Sequence, residues 1–168
     1  NMDADILAIG VHPDDIELSC SGYLLKEIAN GRSVVLLDLT HGELGTRGTG
    51  AIRVEEALAA AKLMGAISRE FLNIGDGFFE PTEINFKQII RVIRKWRPKI
   101  VLANAIEDRH PDHSRAASLI DRACFLSGLR KIATVEKKKK QESYRPMAVY
   151  HYIQDKTLYP DIVVDISL

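Results

Sequence analysis

Two short segments concentrate the side chains able to do chemistry: His12-Pro13-Asp14-Asp15-Ile16-Glu17 near the start, and Glu107-Asp108-Arg109-His110-Pro111-Asp112-His113 much later. Imidazole and carboxylate suit zinc, and a catalytic zinc keeps three protein ligands while leaving one position for water. His12, Asp15 and His113 can supply those three. Asp14 adjoins a proposed ligand, so its side chain must point elsewhere, free to take a proton from water at such a metal. A competing reading makes Asp14 or Asp15 a cap of the helix that follows, because aspartate at a helix start accepts free N–H groups.

These segments need elements that bring them together. Ile6 to Val11 is a continuous apolar run, the mark of a strand covered on both faces, and it stops at His12-Pro13. From about Asp15 to Asn30 apolar residues recur at helical spacing, and Gly31 follows where a left-handed cap belongs. A second strand is expected over Val34–Leu39, then a glycine-rich loop from Thr40 to Gly50, a helix over about Ala51–Met64, and a strand at Phe71–Ile74. A helix over Ile84–Trp96, a strand at Ile100–Ala103 and a helix near Ser114–Leu126 continue the alternation. Late strands are expected at Met147–Tyr150 and Ile162–Ile166. Such alternation predicts parallel strands joined by right-handed crossovers, an open doubly wound Rossmann-like α/β sheet with helices on both faces. Ligands of such sheets bind beyond the carboxyl ends of the strands, and both histidine loops fall on that edge.

With 168 residues the chain suits one domain. Lys plus Arg balance Asp plus Glu at 23 each, so no global field points to nucleic acid or to an acidic membrane surface. No apolar run reaches the roughly 18 residues of a membrane span, and no basic-then-apolar leader is visible, which makes the cytoplasm the expected compartment. Cys20 and Cys124 sit in apolar helical patterns and read as reduced core thiols. The lysine run Lys137–Lys140 is expected to be a solvated loop. No GxGxxG follows the first strand, so a nicotinamide cofactor has no support.

The motif Gly10-Val11-His12-Pro13-Asp14-Asp15-Ile16-Glu17, together with His110-Pro111-Asp112-His113, resembles the LmbE-like or PIG-L family of zinc N-deacetylases. The loop Gly42 to Thr49 and the phrase Ala103-Asn104-Ala105 are most similar to its bacillithiol-pathway branch, which removes acetyl from N-acetylglucosaminyl malate. The resemblance implies one zinc per chain, replaceable by another divalent ion such as Fe2+, on His12, Asp15 and His113, with Asp14 as general base. It implies that His110 stabilises the oxyanion or protonates the departing amine, that Asp112 orients the His110 ring, and that Glu17 has a supporting role. The partner implied is a small N-acetylated amino-sugar conjugate, and a homo-oligomer is compatible with the family. Family members usually continue past the equivalent of Leu168, so the domain expected over 2–168 lacks their C-terminal segment.

For an anionic substrate group, the Thr40–Gly50 loop offers backbone N–H groups and Arg47, followed by Arg53 near a helix start. Arg53 is equally readable as paired with Glu56 or Glu43, and Arg109 is a further candidate for sugar or carboxylate contact. Two rival functions stay open: a catalytically weak metal-binding fragment, and a two-metal hydrolase recruiting Asp108 or Asp112.

Overall fold

The computed structural model describes residues 3–167. Asn1, Met2 and Leu168 lie outside the described residues, and with them both ends of the domain expected over 2–168. Five parallel strands form one sheet: β1 (Ile6–Gly10), β2 (Val34–Asp38), β3 (Ser68–Phe71), β4 (Ile100–Ala103) and β7 (Ala148–His151), in the order β3-β2-β1-β4-β7. The helices are α1 (Asp15–Ser19), α2 (Ser21–Ala29), α3 (Gly50–Met64), α4 (Glu83–Trp96) and α5 (Pro111–Ser127). A small antiparallel pair, β5 (Val135–Glu136) and β6 (Lys139–Lys140), stands apart.

Alternation along β1 splits the core into two layers, as a strand covered on both faces must. Leu7 and Ile9 pack with Val35, Leu37 and Val101 against Phe86, Ile89 and Ile93 of α4 and Leu119 and Ile120 of α5. Ile6 and Ala8 pack on the opposite face with Ile16, Leu24, Ala61 and Met64. Each fully buried Leu or Ile contributes about 1.5–3 kcal/mol of transfer free energy, so the sheet is held from both sides. Chemistry at the helix ends agrees with these boundaries. Thr49 and Thr82 accept from the Ile52 and Asn85 backbone N–H groups, and Gly65 closes α3 at φ 83°.

Four expectations from the sequence are corrected. The single helix expected over Asp15–Asn30 is two, broken at Cys20 (φ −134°), where the Ser21 hydroxyl donates back to the Glu17 carbonyl at 2.7 Å. Periodicity cannot register that break because Ile16, Cys20 and Leu24 remain buried across it. The strand expected at Phe71–Ile74 comes earlier, at Ser68–Phe71, while the Leu72 and Ile74 N–H groups still reach the Asp38 and Leu39 carbonyls. Lys137–Lys140 is solvated but organised as a tight hairpin, with Lys137 and Lys138 at φ 47° and 66°. Ile162–Ile166 forms no strand; Val163 is 80 % exposed, Ile166 touches Gly22 of α2, and Lys26 donates to the Asp165 carbonyl. An apolar run becomes a strand only where a sheet edge receives it, and this one lies against a helix. Among the described residues no helix is long and apolar enough to cross a membrane.

Candidate metal centre

The strand order reverses at β1, with β2 on one side and β4 on the other, which is where an open α/β sheet forms its crevice. His12, Asp14 and Asp15 follow β1 at this point, and Asn104, Asp108, His110, Asp112 and His113 follow β4. Gly10 permits the first turn to fold back. A Cβ there would lie 3.0 Å from the Asp15 Cβ and 3.2 Å from the His12 carbonyl oxygen.

Asp15 is buried, and neither it nor Asp14 caps a helix. One Asp15 oxygen, Oδ2, accepts from the Val11 and His12 backbone N–H groups at 3.0 and 2.9 Å and from Asn104 Nδ2 at 2.9 Å. Its Oδ1 accepts from Gln154 Nε2 at 2.8 Å and lies 3.2 Å from His113 Nε2. Burial opposes its charge, yet His113 and His12 hold the carboxyl well below the ordinary range. Asp14 occupies the N-cap position of α1 without a side-chain cap bond; instead its Oδ2 meets Arg53 Nη2 at 3.0 Å.

The imidazoles are oriented by carboxylates. His113 Nδ1 is engaged by Asp108, and His12 Nε2 lies 3.0 Å from Asp76 Oδ1. With those nitrogens carrying the protons, the remaining lone pairs, His113 Nε2 and His12 Nδ1, face Asp15 at 3.2 and 3.8 Å. A lone pair turned on a carboxylate oxygen is reconciled only by a proton or a metal cation. For the proton, burial opposes protonation of His113, but Asp15 and Asp108 outweigh it and raise the pKa to about 9. Burial likewise opposes protonation of His12, while Asp15 and Asp76 raise it. A proton therefore satisfies the pair as it stands; two imidazoles and a carboxylate are also the donor types of a zinc-type site, and a further group of ligand-capable atoms, on His12, Asp76 and Asp112, lies beside them.

His110 behaves differently. Its Nδ1 accepts the Asp112 backbone N–H at 3.2 Å, which leaves Nε2 as the N–H donor of the neutral ring. Burial and then the neighbouring His12 and His113 lower its pKa, favouring that neutral form. Ligand-capable atoms of His12, His110 and His113 do lie within 4.8 Å of one another, but the His110 tautomer has no free lone pair to give. Asp112 meets this ring through its backbone amide and not its carboxylate. From the first turn of α5 the carboxylate points away, accepting from Gly77 N at 3.0 Å and lying 3.6 Å from His12 Nε2.

Of the remaining sequence candidates, Glu17 pairs with Arg69 of β3, which also makes a bidentate pair with the fully buried Asp38 at 2.6 and 2.9 Å. Arg53 meets neither Glu56 nor Glu43; it takes Asp14 and donates to the Gly42 carbonyl at 3.1 Å. Arg47 is exposed on the Thr40–Gly50 loop, and Arg109 pairs with Asp155 at 3.1 Å on the surface. Residues that sequence reasoning passed over include Asp76, Asn104, Gln154 and Arg69. Asp76 lies between Gly75 and Gly77 on the loop after β3, so the strand-end rule that found His12 and His113 could have found it.

The fold and site together define an open α/β protein with a histidine and carboxylate centre at its switch point. Residues 7–124 match the family described as PIG-L, GlcNAc-PI de-N-acetylase, and the chain belongs to that family. It is 32% identical to the diacetylchitobiose deacetylase of Thermococcus kodakarensis, across 96% of this chain and 63% of that protein. It thus spans less than two thirds of that relative's length. The crystal structure of the conserved protein TT1542 from Thermus thermophilus superposes with a TM-score of 0.89 at 35% identity, covering 98% of this chain and 72% of that one. GalB, the 4-carboxy-2-hydroxymuconate hydratase of Pseudomonas putida, does so with a TM-score of 0.73 at 25% identity, covering 90% and 65%.

Proposed function

We propose that this chain hydrolyses the acetamide of an N-acetylglucosamine-type substrate, releasing acetate and the free amine, with a divalent metal held by His12, Asp15 and His113. The observation that carries this reading is the facing pair His113 Nε2 and Asp15 Oδ1, with Asp108 behind the imidazole. When bound, zinc or an equivalent ion such as Fe2+ would polarise the acetamide carbonyl and make water a better nucleophile. Asp14 takes the proton of the attacking water and passes it toward the amine; it is free of capping duty and is aimed by Arg53. His110, through Nε2–H, donates to the oxyanion that develops on the acetamide oxygen. Asp112 fixes the His110 ring through its backbone, and Glu17 anchors α1 to the sheet through Arg69.

The diacetylchitobiose deacetylase relative supports an N-acetylated sugar as substrate. N-acetylglucosaminyl malate is the finer proposal, with exposed Arg47 meeting its carboxylates and Arg53 and Arg109 doing so only by exchanging Asp14 and Asp155. The test is acetate release from diacetylchitobiose and from N-acetylglucosaminyl malate, with and without a chelator. Chelator-sensitive release from either supports deacetylation, and the ratio of kcat/KM identifies the aglycone. A second reading follows from the likeness to GalB: addition of water to a carboxylated conjugated alkene. Loss of the alkene absorbance, with no acetate from either sugar, would establish that reading instead.

A further inference from the structure

Asn104 directly follows β4 and is fully buried, yet among the described residues its Oδ1 has no hydrogen-bond partner; Gln154, beyond β7, is half-buried with an Oε1 in the same state. A buried acceptor without a donor is destabilising, and a native structure that retains one calls for a reason. What the two side chains share is the other end of the amide. Asn104 Nδ2 donates to Asp15 Oδ2 at 2.9 Å and Gln154 Nε2 donates to Asp15 Oδ1 at 2.8 Å.

The effect on Asp15 is asymmetric. Oδ2 receives three N–H groups, from Val11, His12 and Asn104, and is fully occupied. Oδ1 receives Gln154 alone as a neutral donor and is the oxygen that faces His113. A free carboxylate can present one oxygen or both to a cation, and large oxygen-loving ions favour more ligands than the four of a zinc-type site.

We infer that Asn104 and Gln154 form an amide clamp that makes Asp15 present a single oxygen, Oδ1, to the metal. This rests on the reading of His12, Asp15 and His113 as metal ligands. Both are positioning residues, since they act through Asp15. His151 supports the clamp by donating from Nδ1 to the Asn104 carbonyl oxygen at 2.7 Å.

The experiment measures affinity for Zn2+ alone, against a chromophoric chelator, together with the visible absorption of the Co2+-loaded protein and metal-free thermal stability. Asn104→Leu keeps the branched shape while deleting both the donor and the orphaned acceptor; Gln154→Ala deletes both by truncating the side chain at a half-buried loop position. Each variant is expected to bind Zn2+ roughly 10- to 100-fold more weakly. The Co2+ absorption should weaken as Asp15 adopts both oxygens and the coordination number rises. The metal-free Tm of Asn104→Leu should be unchanged or higher, which a merely structural residue would not show. Wild-type protein that binds Zn2+, with variants within threefold of it, would overturn the clamp alone. Wild-type protein that binds no Zn2+ would overturn the ligand assignment and the clamp with it. If Asn104→Leu does not fold, Gln154→Ala decides.

Discussion

His113 Nε2 and Asp15 Oδ1 face each other at 3.2 Å across the junction of two loops that are far apart in the chain. Two liganding atoms on a tetrahedral ion with bonds near 2 Å are separated by about the same distance. Of the two residues, Asp15 also holds the Val11 and His12 backbone N–H groups of the first loop, which His113 does not, so His113 is the one to remove. His113→Ala is therefore expected to lose bound zinc and turnover together. Asp14→Ala should keep one zinc per chain and lose nearly all turnover under the proposed mechanism, because its carboxylate meets Arg53 and is not one of the proposed metal ligands. Elemental analysis beside an acetate assay checks both. Wild-type turnover in Asp14→Ala would refute the general base.

His110 gives a different signature. As an Nε2–H donor without a free lone pair it should contribute to the transition state and not to metal retention. His110→Ala is expected to lower kcat about 10²–10³-fold, the usual effect of deleting one oxyanion donor, with zinc content unchanged. A loss of zinc equal to that in His113→Ala would make it a ligand instead.

The residues of the two motifs were legible because their types are chemical and the strand-end rule says where they meet. The three inner strands β1, β2 and β4 and the helices α3, α4 and α5 were legible because apolar runs and helical periodicity report burial. The break at Cys20 was not, since both halves of the helix keep their apolar residues on one face. Asn104 and Gln154 were hidden for another reason. A single polar amide has no pattern, and its meaning comes from Asp15, which the fold brings to it. Arg53 shows the same limit: its partner is Asp14, neither of the glutamates near it in sequence.

Gly10 should prove intolerant of even one methyl group. Its backbone conformation is an ordinary strand, so the difficulty is space alone: the new Cβ would meet the Asp15 Cβ at 3.0 Å and the His12 carbonyl oxygen at 3.2 Å. Relief requires the His12–Asp15 turn to shift by several tenths of an ångström, which breaks the match between Asp15 and His113. Gly10→Ala is expected to lose about 1–3 kcal/mol of stability, as overpacked sites do, and to weaken Zn2+ binding. Urea unfolding and metal titration measure the two effects, and unchanged Zn2+ affinity would show that the turn absorbs the methyl group.

At the opposite edge of the sheet, Asp5 joins the start of β1 to Ser33 and Lys99. Its carboxylate accepts from the Ser33 N–H and hydroxyl at 3.0 Å each and from Lys99 Nζ at 2.7 Å. The Lys99 bond, then the Ser33 amide, lower its pKa from 3.8 to about 2. A carboxyl whose folded value lies below its unfolded one gives stability that is complete above the unfolded pKa and lost as pH falls through the folded one. The window is therefore pH 4 down to about 2. Lys99 is largely exposed, and solvent screening limits the contribution to roughly 1 kcal/mol. Asp5→Asn should be less stable than wild type by about that amount at pH 7, and urea unfolding from pH 7 to pH 3 should show the gap begin to close only below about pH 4. A gap that closed above pH 5 would mean that another group, and not Asp5, carries the acid sensitivity of this edge.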